Sequence, residues 1–287
     1  MAKGRELKGR IKSVENIRKI TRTMEMVATS KMKRAQDRVV AARPFANSLS
    51  EVIANLYTPE LAERFPLLRQ PATVNKAAVV VLTSNRGLAG AFNANLLKEA
   101  RALLARLKEE SVEPELHVIG KKGLGYFRYV GRAVASSRTD VTDRPTAQNA
   151  AEIVDELIQR FASAEIDAVY VVYAKFQSAL SAPPATQMIL PVTPPERTGP
   201  QPDYILLPSA EAILTQLLPS YVRNSVYRAL VETAAAEQGA RRTAMKNATD
   251  NAGDMLNVLR RTFNRARQAQ ITQEIAEIVG GSAALEG

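Results

Sequence analysis

Hydrophobic positions in the first 57 residues recur in steps of three and four. Leu7, Ile11, Val14, Ile17, Ile20, Met24, Ala28, Met32, Ala35, Val39 and Ala42 make ten steps over 35 residues, a mean of 3.5. That is the period of a coiled coil rather than of a straight helix. Pro44 is a site for a kink. The rhythm resumes with Phe45, Leu49, Val52, Ile53 and Leu56 until Pro59 and Pro66 break it. At the helical rise, residues 3–57 make a rod of roughly 80 Å.

The grammar changes over residues 76–207. Residues 77–83 (AAVVVLT) form a short β-rich run, followed by Asn85-Arg86-Gly87 and an amphipathic helix to about residue 110. Residues 116–120 predict a second strand, 124–130 a short helix, 146–162 a helix, and 168–176 and 186–192 two more strands. Strands alternating with helices indicate an open, mostly parallel α/β sheet. Five prolines between residues 191 and 202 mark an exit loop.

Helical periodicity returns over residues 209–279, with Pro219 as an early interruption. Ala240, Ala244, Ala248, Ala252, Met255 and Leu259 make a narrow seam in which small residues stand where a core helix carries Leu. About 60 residues make a rod of roughly 90 Å. A helix of that length needs a companion, and the N-terminal helix is the obvious one. The expected fold class is therefore α/β: a long antiparallel coiled coil of N- and C-terminal helices with an inserted Rossmann-like domain. Its sections are residues 1–58, 76–207 and 209–287.

Charge sharpens this picture. The chain of 287 residues carries a formal net charge of +10, and residues 1–43 hold thirteen Lys or Arg against four acids, so nearly the whole excess lies on the first helix. Such a face seeks an acidic partner: nucleic acid, anionic lipid or a carboxylate-rich protein surface. The longest aliphatic run, Val79 to Leu82, is far short of the roughly 20 residues that span a bilayer. The N-terminal stretch has charge but no apolar core, unlike a secretory signal. With no cysteine, disulfides, thiolate metal sites and thiol nucleophiles are excluded.

Candidate chemistry is sparse. Residues 86–90 (RGLAG) follow a strand and open a helix, but lack the paired glycines that bring backbone against a pyrophosphate. Residues 120–125 (GKKGLG) are glycine-rich and basic, yet are not a phosphate-binding P-loop. Tight strand-to-helix turns explain both better. His117, the single histidine, sits in an apolar strand, so a metal site or imidazole base is not expected. Asp140, Asp143, Asp155 and Glu156 fit a solvated surface better than an acid/base pair. No cofactor, metal or catalytic constellation is expected. The basic helix has no aromatic before Phe45 on which bases could stack, which weighs against nucleic acid.

Three separated blocks resemble the gamma subunits of F-type ATP synthases, in order and across essentially the whole chain. They are residues 19–32 (KITRTMEMVATSKM), residues 86–90 (RGLAG), and residues 244–251 and 264–268 leading to 271–277 (ITQEIAE) with Gly281 and Ser282. The family usually has Ala where Ser282 stands. The resemblance implies a central-stalk rotor that couples ion flow through a membrane c-ring to ATP synthesis or hydrolysis and regulates both. In it the terminal helices turn inside a ring of alpha and beta subunits, and the α/β domain lies against epsilon and the c-ring. It implies no catalytic site of the chain's own, no transmembrane segment, no nucleic-acid partner, and a peripheral place at the cytoplasmic face of the bacterial inner membrane. It also places rotor–beta contacts at Met24, Lys31, Arg241, Gln268, Thr272, Glu274 and Glu277. Two readings of other classes compete: a basic coiled-coil protein binding nucleic acid or a membrane surface, and an α/β enzyme with helical arms.

Overall fold

The computed structural model describes residues 2–57, 64–178, 181–193 and 209–285. The Pro59 break and the proline-rich stretch beyond residue 193 lie outside the described residues, as do the side chains of Gly281 and Ser282. Two long helices, α1 (Ala2–Leu56) and α5 (Ala210–Leu285), enclose in sequence the strands β1 (Lys76–Leu82), β2 (Glu113–Ile119), β3 (Ser136–Arg138), β4 (Ala168–Ala174) and β5 (Pro184–Leu190). Between the strands run α2 (Phe92–Glu109), α3 (Lys121–Tyr129) and α4 (Ala147–Ala162). The three-residue β3 escaped the sequence reading because SSR has neither β-branched residues nor alternation.

The sheet order is β3-β2-β1-β4-β5. Strands β3, β2, β1 and β4 are parallel, and β5 returns antiparallel along β4. Central β1 is buried from its second residue onward, as a strand covered on both faces must be. Ala78, Val80 and Leu82 point to one core with Val154, Leu157 and Phe161 of α4. Ala77, Val79 and Val81 point to the other with Leu96, Ala100, Leu103 and Leu107 of α2. Each fully buried Val or Leu contributes about 1.5–3 kcal/mol, so this double layer dominates the domain's stability.

Two compact units emerge: residues 1–27 with 242–287, and residues 28–241. The division falls inside both long helices because parts of each belong to the α/β core. Leu49, Ile53 and Leu56 of α1 join Leu214, Leu218, Val222 and Val226 of α5 against one face of the sheet. Ala35 and Val39 join Val231, Ala235 and Ala236 against the other. This packing carries both helices through their prolines: Pro44 lies inside α1, and Pro219 does not interrupt α5. A buried flank of Leu214, Leu218 and Val222 offsets the roughly 3 kcal/mol that an interior proline costs.

In the first unit the helices pair antiparallel, with Glu15 beside Arg260 at 2.6 Å and Thr21 beside Thr249 at 2.8 Å. Burial here corrects two expected seams. On α1 the covered positions run Leu7, Val14, Thr21, with Ile11 and Glu25 on the alternate track; Ile17 and Ile20 are 51% and 59% exposed. On α5 they run Met245, Ala252, Leu259, Ala266, with Thr249, Leu256, Phe263 and Gln270 alternating. Of the expected positions, Ala252 is buried, Ala240, Ala244, Ala248 and Leu259 are half-buried, and Met255 is turned out to solvent. Choosing the apolar residue at each step led the sequence reading off the geometric stripe, because two seam positions on these helices are threonines.

Candidate functional site

In a doubly wound sheet, ligands bind beyond the carboxyl ends of the strands where the strand order reverses. Here that point lies between β1 and β4. The loop after β1 supplies Thr83, Ser84, Asn85 and Gly87, and the start of α3 supplies Gly120 to Gly123. Asn85 ties three loops together: its side-chain oxygen accepts from Lys121 N at 3.0 Å and its amide donates to Val141 O at 2.7 Å.

A phosphate site needs free N–H groups at a helix N-terminus. At α3 these are already used. Lys121 N donates to Asn85 Oδ1, Lys122 N to Ser84 O at 3.0 Å, and Gly123 N to Thr83 Oγ1 at 2.9 Å. Gly120 takes φ +101°, and a Cβ there would run into the Thr83 carbonyl. A Cβ on Gly123 would come within 2.7 Å of Thr83 Oγ1. The glycines let the turn close upon Thr83, the tight-turn role expected for them.

Helix α5 itself lies across this crevice. Thr233 Oγ1 accepts from Ala174 N, the last residue of β4, at 3.2 Å, and Glu232 Oε2 accepts from Phe176 N, two residues further on, at 3.1 Å. Arg241 is buried; its Nη2 donates to Gly87 O at 3.2 Å and to Glu237 Oε1 at 2.6 Å. From α1, Lys31 donates to Asp143 Oδ2 at 2.7 Å. Burial pushes the Glu237 carboxyl up, against the pull of Arg241, its direct partner. Burial also works to raise Asp143, but the Lys31 hydrogen bond and charge outweigh it and hold that carboxyl below its ordinary value. The expected solvated reading of Asp143 is thus corrected, and Asp140 and Asp155 are paired as well, with Arg138 and Arg223.

His117 sits at the β2–β3 pairing, its Nδ1 2.7 Å from Ser136 Oγ. Its Nε2 lies 3.0 Å from Glu115 Oε1 but out of hydrogen-bonding alignment, so that contact is electrostatic only. Arg160 grips the Glu115 carboxylate with two bonds of 2.7 Å and keeps it ionised, lowering its pKa against burial. Burial nonetheless pushes the imidazole down from its ordinary value. Among the described residues no group of three or more His, Asp or Glu could hold a metal, and no helix is long and apolar enough to cross a membrane.

The seven residues expected to meet a partner fall into two sets. Lys31 and Arg241 are engaged at the sheet edge, as described. In the other unit, Met24 is half-buried on α1, whereas Gln268, Thr272, Glu274 and Glu277 are exposed on α5. Their polar contacts there are local: Thr272 Oγ1 to Gln268 O, Gln270 to Glu274 and Gln273 to Glu277, all within one turn. Every residue from 271 to 280 is exposed, including Ile271, Ile275, Ile278 (72%) and Val279. Glu232 and Thr233 went unnoticed in the sequence. Their signal was an acid and a hydroxyl inside the otherwise apolar run of residues 229–236, where burial demands partners.

The arrangement defines a protein of two long terminal helices and an α/β domain whose crevice at the strand ends is covered by its own helix. The family model described as ATP synthase matches residues 3–285. The chain is 67% identical over 290 residues to the ATP synthase gamma chain of Gemmatimonas aurantiaca, covering all of both. With that of Mycolicibacterium smegmatis it shares 42% over 301 residues, covering 99% of this chain and 98% of the other. Among solved structures it resembles a chain of the central stalk/c-ring structure of the Tetrahymena thermophila mitochondrial ATP synthase, at 26% identity and TM-score 0.62 over 80% of this chain and 99% of that one. The fold also matches a chain of the Euglena gracilis mitochondrial ATP synthase, at 21% identity and TM-score 0.70 over 99% and 95%. The chain belongs to the ATP synthase gamma-chain family.

Proposed function

We infer that this chain is the central-stalk rotor subunit of an F-type ATP synthase, turning within a ring of alpha and beta subunits and resting on epsilon and the membrane c-ring. It carries torque and contains no catalytic site; ATP chemistry belongs to the beta subunits. Its place is peripheral, at the cytoplasmic face of a bacterial inner membrane. The observation that carries this reading is the row of exposed isoleucines at residues 271, 275 and 278 on a helix that continues to Leu285. Steps of four and three make them one stripe, and a stripe of that kind needs a surrounding sleeve to leave water.

Coupling follows from asymmetry. Each beta subunit meets a different face of the stalk, so its open and closed states are biased differently, and rotation moves that bias around the ring. Through that bias the stalk regulates both ATP hydrolysis and ion flow. We assign ring contact to Met24, Gln268, Thr272, Glu274 and Glu277. Lys31 and Arg241 act there through the intrachain ties that fix the loops beside them. The working sections are residues 1–58 and 209–287, whose far ends form the shaft while residues 28–56 and 210–241 also pack on the sheet, and 76–207 as the domain that faces epsilon and the c-ring. The relatives lend no support to a nucleic-acid or membrane-surface binding protein. The test is co-purification. A tagged chain should bring down the alpha and beta subunits together with ATP hydrolysis activity, and a chain recovered without them overturns the reading.

A further inference from the structure

Apolar packing holds α5 against the sheet and sets the face it buries, but such contacts are non-directional and tolerate small rotations about the helix axis. Hydrogen bonds are directional and weaken steeply with misalignment. Glu232 and Thr233 supply two of them side by side. Both side chains are buried, and they accept from the N–H groups of Phe176 and Ala174, two residues apart as the chain leaves β4. Successive residues on a helix point about 100° apart. Both bonds therefore close together at only one rotational setting of α5. Arg228, one turn earlier, donates to the other oxygen of Glu232 at 3.0 Å and holds the carboxylate in place.

We propose that Glu232 and Thr233 are positioning residues that key the rotation of helix α5 to the backbone at the end of β4, so that torque passes between the α/β domain and the shaft without slip. The inference rests on the rotor reading above. Both are buried within this chain, so each acts through the helix it fixes. Arg241 on Gly87 O and Arg223 on Asp155 are further ties of α5 to the same domain, but the Asp155 pair is half-exposed and easily solvated.

The experiment uses the whole complex reconstituted in vesicles, with Thr233→Val, which removes the acceptor at nearly constant shape, and Thr233→Ser, which keeps it. ATP hydrolysis and ATP-driven ion pumping are measured together, and the angular fluctuation of the stalled rotor is recorded on single molecules. Thr233→Val should lower ions pumped per ATP and broaden the fluctuation, while Thr233→Ser matches the unaltered protein in both. An assembled Thr233→Val complex with unaltered coupling and fluctuation overturns the proposal. So does a Thr233→Ser complex as loose as Thr233→Val. Should Thr233→Val fail to assemble, amide exchange in the unaltered complex decides: fast exchange at Ala174 and Phe176 overturns the proposal and slow exchange at both supports it. Failure of the rotor reading itself looks different, since the unaltered chain would then neither assemble nor couple.

Discussion

The hydroxyls of Thr21 and Thr249 lie 2.8 Å apart across the helix pair, at heptad positions where an apolar pair is the rule. Each is also within reach of its own helix, Thr21 of Arg18 O at 3.2 Å and Thr249 of Met245 O at 2.9 Å. A polar layer inside a seam specifies register at some cost in stability. Thr249→Val alone should cost about 1 kcal/mol. Joined with Thr21→Val, it should cost less than the two singles summed, because both singles lose the same shared hydrogen bond. A double-mutant cycle by denaturant unfolding measures this, and strict additivity refutes a coupled pair.

Ala252 is buried on the seam and Ala248 only half so. Ala252→Leu should overpack the helix pair at a cost of about 1–3 kcal/mol, and Ala248→Leu should cost clearly less. Melting temperatures of the two variants compare them directly. Equal shifts would mean that Ala248 shares the seam.

Met24 is half-buried on α1, and we assign it to the ring contact. Its flexible, uncharged side chain can slide past successive partners. Lysine there adds a charge, and a charged hydrogen bond to an acceptor on the ring, roughly 1.5–3 kcal/mol, favours one rotary position over the others. Met24→Lys should therefore keep assembly and ATP hydrolysis while lowering ions pumped per ATP. Loss of assembly instead would mark Met24 as a structural residue of the helix pair.

His117 makes stability depend on pH. Its folded pKa lies below the ordinary value because burial disfavours the imidazolium, and the Glu115 charge only partly opposes this. The unfolded chain then binds the proton more tightly, so stability is full above about pH 6.5 and declines as pH falls through the unfolded pKa towards the folded one. Asp143, also lowered, gives up its contribution only further down, as pH falls below about 3.9. His117→Gln should flatten the upper window and leave the lower. Unfolding free energy followed from pH 7.5 downward tests it, and an unchanged slope places the proton elsewhere.

The N–H groups that open α3 are bonded to Asn85, Ser84 and Thr83, and α5 covers the crevice between β1 and β4. The isolated, folded chain should therefore show no tight one-to-one binding of Mg-ATP by calorimetry. Micromolar binding would mean that the crevice opens.

Local sequence was enough for the helices, for every strand but the short β3, for the mostly parallel sheet and for the pairing of the terminal helices. Periods of 3.5 and short β-branched runs are properties of neighbouring residues, and so is the glycine spacing that closes a strand-to-helix turn. It was not enough for the seam. At Ile17, Ile20 and Met255 the apolar residue faces water while a threonine or alanine fills the contact. Which face is covered depends on the partner helix, not on hydrophobicity at one position. Nor could sequence place Lys31 on Asp143, 112 residues away, or Arg241 on Gly87, 154 away. Those bonds exist because the sheet brings its loops to one edge and α5 returns across them. The rotor chemistry was legible as family motifs, whereas the ties that fix α5 upon the sheet arise from burial and direction, which only the folded chain supplies.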